Sequence, residues 1–493
     1  MKVLTSVLDW MDDRTGLVGG ARKVMQHPVP RGSTWWYVFG SATLLAFIIQ
    51  VATGIVLSAM YVPSPDVAYQ SLEFITNEAP FGNFIRGLHS WSATAMIVLI
   101  GLHMIQVFLF AAYKFPREMN WITGVVLLAL TLAMAFTGQI LRWDNNGVWT
   151  TVVIIKMVGK MPLIGEPIAR FIESGDVPSA ATLSHFFTYH VFVIPALIFV
   201  TVGIHLYLII HNGISEPPQA GRPVDPKTYR AWYHQMLRRE GVPFFPDAIW
   251  RDAVFALIVT AVLVALALIV GPPKLEDPPS PAILDAVPRP DWFFMWLFAA
   301  LALLPPGLEF YVLIGGAVLV FVILFLIPFI SNSGERSMKM RPWAPVAVLV
   351  VVTMIASTTV AGFRAPWSPR FTTQPLTPEM VGAPNDQVLA GSQLFYAKGC
   401  QYCHTIAAGV GGIRGPDLTY IGDQLTSNEL TWRIANGGVN MPSFAGTLTR
   451  EEIDLLVQFL LSRKKQDVEP PGSTTRSESG TPADNAQDGG RAP

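Results

Sequence analysis

Long uncharged apolar blocks, separated by short segments that carry the charges, fill the chain as far as residue 363 and then stop. Seven blocks, at residues 35–60, 88–113, 121–141, 182–211, 253–271, 310–330 and 342–363, are long enough, or nearly so, to cross a hydrocarbon core of about 30 Å as helices rising about 1.5 Å per residue. An eighth apolar piece, 292–304, is too short to span and is closed by Pro305-Pro306, which predicts an interfacial segment. Residues 1–31 contain Asp9, Asp12, Asp13 and several basic residues but no apolar core of a cleavable signal, and read as a surface amphipathic segment.

Composition supports a membrane assignment and charge adds a direction. Hydrophobic residues make up 51% of the chain and charged residues 14%, far from the balance of a soluble globular protein. The formal net charge of −1 averages over segments of different character and gives no reason to expect nucleic acid as a partner. With the N-terminus cytoplasmic, the segments on that side collect sixteen Lys and Arg, including Arg22, Lys23, Arg238, Arg239, Arg336 and Arg341; the opposite loops hold seven, including Arg86, Arg142 and Arg289. Seven crossings then place everything after residue 363 outside.

Domain organisation follows from where the apolar blocks lie. Residues 1–34 form the cytoplasmic segment, 35–215 hold four spans and 216–363 hold three. Residues 364–385, rich in Pro and Thr, read as a linker; 386–465 read as a small soluble α-helical domain; 466–493, polar and low in complexity, read as a disordered tail. Both cysteines of the chain fall in one motif of the small domain, Cys400-Gln-Tyr-Cys403-His404, which leaves none for a structural disulfide or an iron–sulfur cluster. C-x-x-C-H permits two thioether bonds to haem vinyls while His404 supplies the proximal ligand; a redox dithiol is the competing reading. Met441, in NMPSF, lies downstream where a class I cytochrome c carries its axial Met, and Gly415-Pro416 matches the segment whose carbonyl orients the proximal His. Covalent haem is attached on the periplasmic side, which agrees with the charge count.

Histidines inside the apolar blocks form a second constellation. His89 and His103 lie 14 apart on the second span, and His190 and His205 lie 15 apart on the fourth. Either spacing is about four helical turns, so both members of a pair project from one face, about 21 Å apart along the axis. Two facing helices of this kind can coordinate two haems stacked across the membrane. Gly40 and Gly54 on the first span, and Gly124 and Gly138 on the third, are also 14 apart. Residues without a Cβ let a planar macrocycle approach the backbone, although close helix packing alone also selects glycine. A four-helix bundle holding two haems accounts for both periods.

On these residues, and on IIQVATG in the first span, RGLHSWSATAM in the second and FPREMNWITGV opening the third, residues 1–363 resemble cytochrome b of the quinol-oxidising cytochrome bc (Rieske/cytochrome b) complexes. The chloroplast-type branch is the most similar, and residues 250–363 resemble its separate three-helix subunit. Here both pieces and a cytochrome c form one chain. The resemblance implies an all-α fold, a polytopic membrane protein with a four-helix di-haem bundle plus three further transmembrane helices, followed by the small soluble cytochrome c domain. It also implies ligand sets. Haem bL, on the exoplasmic side, would take His89 and His190, and haem bH, on the cytoplasmic side, His103 and His205. Arg86 matches a propionate-binding Arg. His185 stands where the family has an Arg near the bL propionates, and both a propionate contact and a solvated loop histidine remain open. Val38 stands where the chloroplast-type protein has a Cys that anchors an extra haem, so two haem b and one covalent haem c are expected.

The family's Pro-Glu-Trp-Tyr motif, between the fifth and sixth spans, is matched by Pro290-Asp291-Trp292-Phe293, with Asp for Glu and Phe for Tyr. A carboxylate there can accept a proton as quinol is oxidised and release it outside; Glu309 is a rival or relay. The implied function is the core of a quinol:cytochrome c reductase with bifurcated electron transfer, in the inner membrane of a bacterium. A Rieske iron–sulfur protein on another chain, membrane lipid and quinone, and a soluble cytochrome c or terminal oxidase as acceptor are the implied partners, within a homodimeric larger complex. The alternative is a non-catalytic haem conduit and membrane anchor for another dehydrogenase or oxidase. A bare anchor would not need the PDWF loop or a complete three-helix second half.

Overall fold

Apolar blocks in lipid can satisfy their backbone polar groups only internally, which selects helices, and a computed structural model of the chain is built of them. The structure describes residues 2–159, 161, 164–173, 179–279, 289–305, 308, 311–364, 373–382, 385–406, 410–412, 415–438, 441 and 443–465. Among the described residues, six helices are long and apolar enough to cross a membrane: Trp35–Ser58, Gly82–Leu109, Glu118–Ile140, Ala180–Asn212, Phe244–Ile269 and Trp343–Arg364. The seventh expected span, 310–330, differs. It is a π-helical turn, Tyr311–Gly316, running into the α-helix Ala317–Ile330, and its apolar stretch Ile314–Ile330 is shorter than the other six. At about 1.5 Å per residue it sits at the short end of what spans a bilayer. The eighth apolar piece is the helix Trp292–Ala302, and the N-terminal segment forms the helices Lys2–Thr15 and Leu17–Met25.

Two helix pairs carry the first unit: Phe39–Ser58 packs on Gly82–Leu109, and Glu118–Ile140 on Ile194–Asn212. Ala42, Ala46, Phe47, Met96, Leu99, Ile100 and Ile198 form an apolar plug midway along them. The fourth span is not a uniform α-helix. Ala180–Thr188 passes through a π-helical turn, Tyr189–Val193, before Ile194–Asn212 resumes, with Pro195 in its first turn. Pro195 lacks the N–H that would close an ordinary turn, and a π turn absorbs one extra residue. That insertion explains why its histidines are 15 apart while those on the second span are 14 apart.

Loops at one end of the bundle interlock the two halves. Phe115 N–H donates to the Asn332 carbonyl (3.1 Å), and Lys114 Nζ to Ser331 Oγ (3.1 Å). Arg336 Nε donates to the Phe110 carbonyl (3.2 Å), and Arg117 Nε to the Gly213 carbonyl (2.9 Å). These buried cations sit just beyond the C-terminal ends of three helices, where unpaired carbonyls and the helix dipole favour positive charge. Arg336 is further paired with Glu216.

The second unit stands on three helices, Asp386–Ala397, Ser427–Asn436 and Arg450–Leu461, around Phe395, Ile406, Leu430, Leu456 and Phe459. Thr426 with Glu429 and Thr449 with Glu452 make capping boxes that fix two of the helix starts. Gly391 has a packing role: a Cβ there would lie 2.1 Å from the Leu455 carbonyl oxygen, so the first and last helices could not cross as they do. Leu376 and Val381, within the segment read as a linker, are buried in this same core, so the compact unit starts before residue 386. Residues 466–493 lie outside the described residues.

Candidate functional site

Both histidine pairs come together with both glycine pairs. His89 on the second span faces His190 on the fourth, with ring centroids 6.4 Å apart and planes at 71°. His103 lies close enough to His205 for the two rings to interact electrostatically. A Cβ at Gly54 would lie 3.3 Å from His89 Cε1, and one at Gly138 would lie 2.7 Å from His190 Cε1. At the other storey a Cβ at Gly40 would lie 3.2 Å from His103 Cε1, and one at Gly124 would lie 3.7 Å from His205 Cε1. Matching 40 with 103 and 54 with 89 makes the first two spans antiparallel; the third and fourth are antiparallel for the same reason. With His89 facing His190 and His103 beside His205, the second and fourth run in one direction.

The His89 and His190 rings fit a bis-imidazole metal. Two metal–nitrogen bonds of about 2 Å each plus the near halves of two rings come to about 6 Å, which matches the centroid separation of His89 and His190. The hydroxyls beside them fit as well. Thr53 Oγ1 is 2.9 Å from His89 Nδ1, Thr123 Oγ1 2.8 Å from His205 Nδ1 and Thr137 Oγ1 3.0 Å from His190 Nδ1. Each threonine also donates to the carbonyl four residues back, that of Ile49, Met119 or Ala133. With its proton so engaged, the hydroxyl accepts from Nδ1–H, and the imidazole tautomer that results keeps Nε2 free to bind metal. The sequence reading missed these threonines, although the signal is plain: Thr53-Gly54, Thr123-Gly124 and Thr137-Gly138 repeat one dipeptide. Gly40 follows Phe39 instead, and His103 Nδ1 is buried with no hydrogen-bond partner among the described residues.

Arg86 is buried and engaged with the protein: Nη1 donates to Thr76 Oγ1 (3.2 Å) and Nη2 to the Pro273 carbonyl (2.8 Å). His185 lies against Tyr189, with ring centroids 6.2 Å apart. In the second unit, Cys400 opens a short 3-10 turn, Cys400–Tyr402, after Gly399 in the left-handed conformation. His404 Nδ1 is 2.9 Å from the Pro416 carbonyl oxygen, the contact expected of an oriented proximal ligand. A Cβ at Gly415 would lie 2.6 Å from His404 Cε1. Met441 and Cys400 both pack against the unit's core.

At the PDWF segment, Asp291 is the residue that precedes the helix Trp292–Ala302, with no side-chain cap hydrogen bond, and Trp292 is exposed. Pro290 lies in the extended stretch leading in, half-buried. Arg289 N–H donates to Asn146 Oδ1 (2.8 Å), which fastens this segment to the start of helix Asn145–Gly159. Burial pushes the Asp291 carboxyl above its ordinary range; the Arg142 guanidinium opposes that rise and Asp144 adds to it. Neither Arg142 nor Asp144 was singled out by sequence. Glu309 lies outside the described residues.

Paired histidines facing glycine gaps within a polytopic helical bundle, joined to a C-x-x-C-H unit, define a class: membrane cytochromes that carry haem in both non-covalent and covalent form. Residues 24–213 match the family described as Cytochrome b/b6/petB, 285–377 match Cytochrome b(C-terminal)/b6/petD, and 386–460 match Cytochrome C oxidase, cbb3-type, subunit III. The chain belongs to the cytochrome b/b6 family, fused to a C-terminal cytochrome c domain. It is 38% identical over 212 residues to cytochrome b6 of Heliobacterium modesticaldum, covering 43% of this chain and all of that protein. It is 36% identical over 223 residues to the menaquinol:cytochrome c reductase cytochrome b subunit of Bacillus subtilis, covering 44% of this chain and all of that one. A solved structure titled "Hyperthermophilic respiratory Complex III" superposes with a TM-score of 0.62 at 26% identity, covering 73% of this chain and 92% of its own.

Proposed function

We propose that this chain is the cytochrome b and cytochrome c core of a quinol:cytochrome c reductase, in which His89 with His190 and His103 with His205 would hold two b haems. Cys400, Cys403, His404 and Met441 would hold the c haem, and Asp291 takes the proton of the quinol. When bound, the haems would supply one-electron carriers, the b haems for one electron of the quinol and the c haem for the electron that a Rieske protein on another chain would take. The chain's own contribution is placement. Threonine hydroxyls fix the imidazole tautomers, the glycines leave room for the macrocycles, and the Pro416 carbonyl orients His404. Asp291, partly open to solvent at the head of its helix, accepts a proton from one side and returns it to water on the other. The observation that carries the reading is a PDWF segment fastened to the cytochrome b bundle, which a simple electron conduit would not need.

The test is to purify the complex from membranes. Pyridine haemochromes should give a b to c ratio near two to one, and a Rieske iron–sulfur resonance should accompany them; haems in that ratio without any such resonance would favour the conduit. The threonines offer a finer check. Thr123→Val keeps the shape but removes the acceptor for His205 Nδ1–H, which makes the imidazole a poorer donor and destabilises the ferric state. A hydrogen bond worth about 0.5–1.5 kcal/mol corresponds to about 20–60 mV for one electron. Redox titration should show that haem rising by this amount in Thr123→Val, and the His190 haem rising likewise in Thr137→Val. Unchanged potentials in both would reduce the threonines to packing.

A further inference from the structure

Between the end of the third span and the PDWF segment lies a guanidinium flanked by two carboxylates. Arg142 Nε is 3.6 Å from Asp144 Oδ2, and its Nη1 is 3.8 Å from Asp291 Oδ1. The two carboxylates differ in kind. Asp144 is completely buried and fixed: its Oδ1 accepts from Gly147 N–H (2.8 Å) and its Oδ2 from Glu276 N–H (3.3 Å). Asp291 is about one-third exposed, and no hydrogen bond caps its helix through the side chain. Arg142 Nε and Nη2 are buried with no hydrogen-bond partner among the described residues, so the guanidinium has donors to spare. The backbone makes this meeting possible. Trp143, at φ 45°, turns the chain sharply between the third span and helix Asn145–Gly159, setting Arg142 and Asp144 on the two sides of the turn.

We propose that Arg142 is a positioning residue, holding the ionised Asp291 carboxylate at the quinol-facing segment and passing its charge to Asp144 when Asp291 takes a proton. This rests on Asp291 being the proton acceptor proposed above. With Asp291 ionised, the three groups carry one net negative charge. Once it is protonated, the Arg142–Asp144 pair that remains is neutral, so the proton is accepted without creating an unpaired buried charge. The proton goes from the quinol hydroxyl to an Asp291 carboxylate oxygen and leaves to water when that carboxyl turns outward. The other nearby charges do not replace Arg142: Glu276, beside Asp144, and its neighbour Asp277 are also acidic, the buried Arg86 guanidinium, which interacts with both Arg142 and Asp144, donates to Thr76 Oγ1 and the Pro273 carbonyl, and the Arg289 guanidinium donates to the Phe363 carbonyl (3.4 Å).

The test is the pH profile of quinol:cytochrome c turnover in membranes, with haem spectra read on every variant. A base must be ionised to act, so the rate falls on the acid side as pH drops through the pKa of Asp291. Removing the cation in Arg142→Gln destabilises that carboxylate and should move the acid limb to higher pH, by about one to three units for an ion pair at this distance. Arg142→Lys, which restores the charge, should return the limb most of the way. Asp144→Asn keeps the acceptor for Gly147 N–H but removes the competing anion, and should move the limb to lower pH. Opposite shifts in Arg142→Gln and Asp144→Asn support the assignment; an unmoved limb in either, or shifts of one sign, overturns it. If Arg142→Gln fails to incorporate haem, Asp144→Asn decides alone by the direction of its shift. Asp291→Asn, run alongside, separates the two claims. Unimpaired turnover there removes the acceptor itself, whereas slow turnover with unmoved limbs in the other variants removes only the role of Arg142.

Discussion

Replacing His89 or His190 by alanine should eliminate one and the same b haem, and replacing His103 or His205 the other, each at full stoichiometry. The expectation comes from geometry. His89 and His190 share a 6.4 Å ring separation, and the second and fourth spans run in one direction, so neither His89 with His205 nor His103 with His190 can meet. The two storeys are about 21 Å apart for 14 residues of α-helix, and the plug from Ala42 to Ile198 fills the interval. A lost histidine leaves a space faced by glycine, which has no side chain to take its place. Reduced-minus-oxidised spectra and redox titration of the four single variants provide the check. Two variants should lose the lower-potential component and two the higher, with the c haem unchanged in all. If His89→Ala and His205→Ala removed a common component, the pairing would be wrong.

Much of this arrangement was legible because membrane burial forces periodicity. A helix that must satisfy its own backbone can place ligands on one face only at multiples of a turn, so the histidine spacing on two spans, with glycines at the same period on the other two, predicts a stacked pair of sites, although the glycine spacing alone fits close helix packing as well. Three things were not legible. The extra residue between His190 and His205 passed as ordinary helical tolerance, because a π turn leaves little mark in sequence beyond Pro195. The threonines beside the glycines looked like neutral membrane-helix residues, since a hydroxyl bonded back to its own helix costs little in lipid and its second partner lies on another span. Arg142 looked like a loop cation. Its neighbour Asp291 is far away in the chain, and the left-handed turn at Trp143, with the bonds from Arg289 N–H to Asn146 and from Gln139 to the Arg289 carbonyl, brings the two loops together. Leu376 and Val381 show the same limit in the second unit. A Pro- and Thr-rich segment has the composition of a linker, yet two apolar residues suffice to dock it on a small core.

Asp291→Asn should slow quinol:cytochrome c turnover by about 100-fold or more, the usual contribution of a positioned general base, while all haem spectra and the assembly of the complex are retained. Shape and polarity are conserved by the change. Asp291 makes no side-chain cap to its helix, so asparagine forfeits no structural hydrogen bond, and its nearest charged partner, Arg142, stays paired with Asp144. What is lost is the capacity to hold a proton. Burial raises the Asp291 carboxyl above its ordinary range, which brings it nearer to the working pH, where a base exchanges protons most effectively. With Asp291 as the proposed base the acid limb of the pH profile would be its own, so in Asp291→Asn the residual rate should lose that limb as well as fall. Asp291→Glu adds one methylene, keeps the base and should remain active, since the carboxylate is about one-third exposed and has room to extend. Steady-state assays of the three forms at matched haem content decide the matter. Full turnover in Asp291→Asn, with Glu309→Gln inactive instead, would move the proton acceptor to Glu309 and leave PDWF a structural turn.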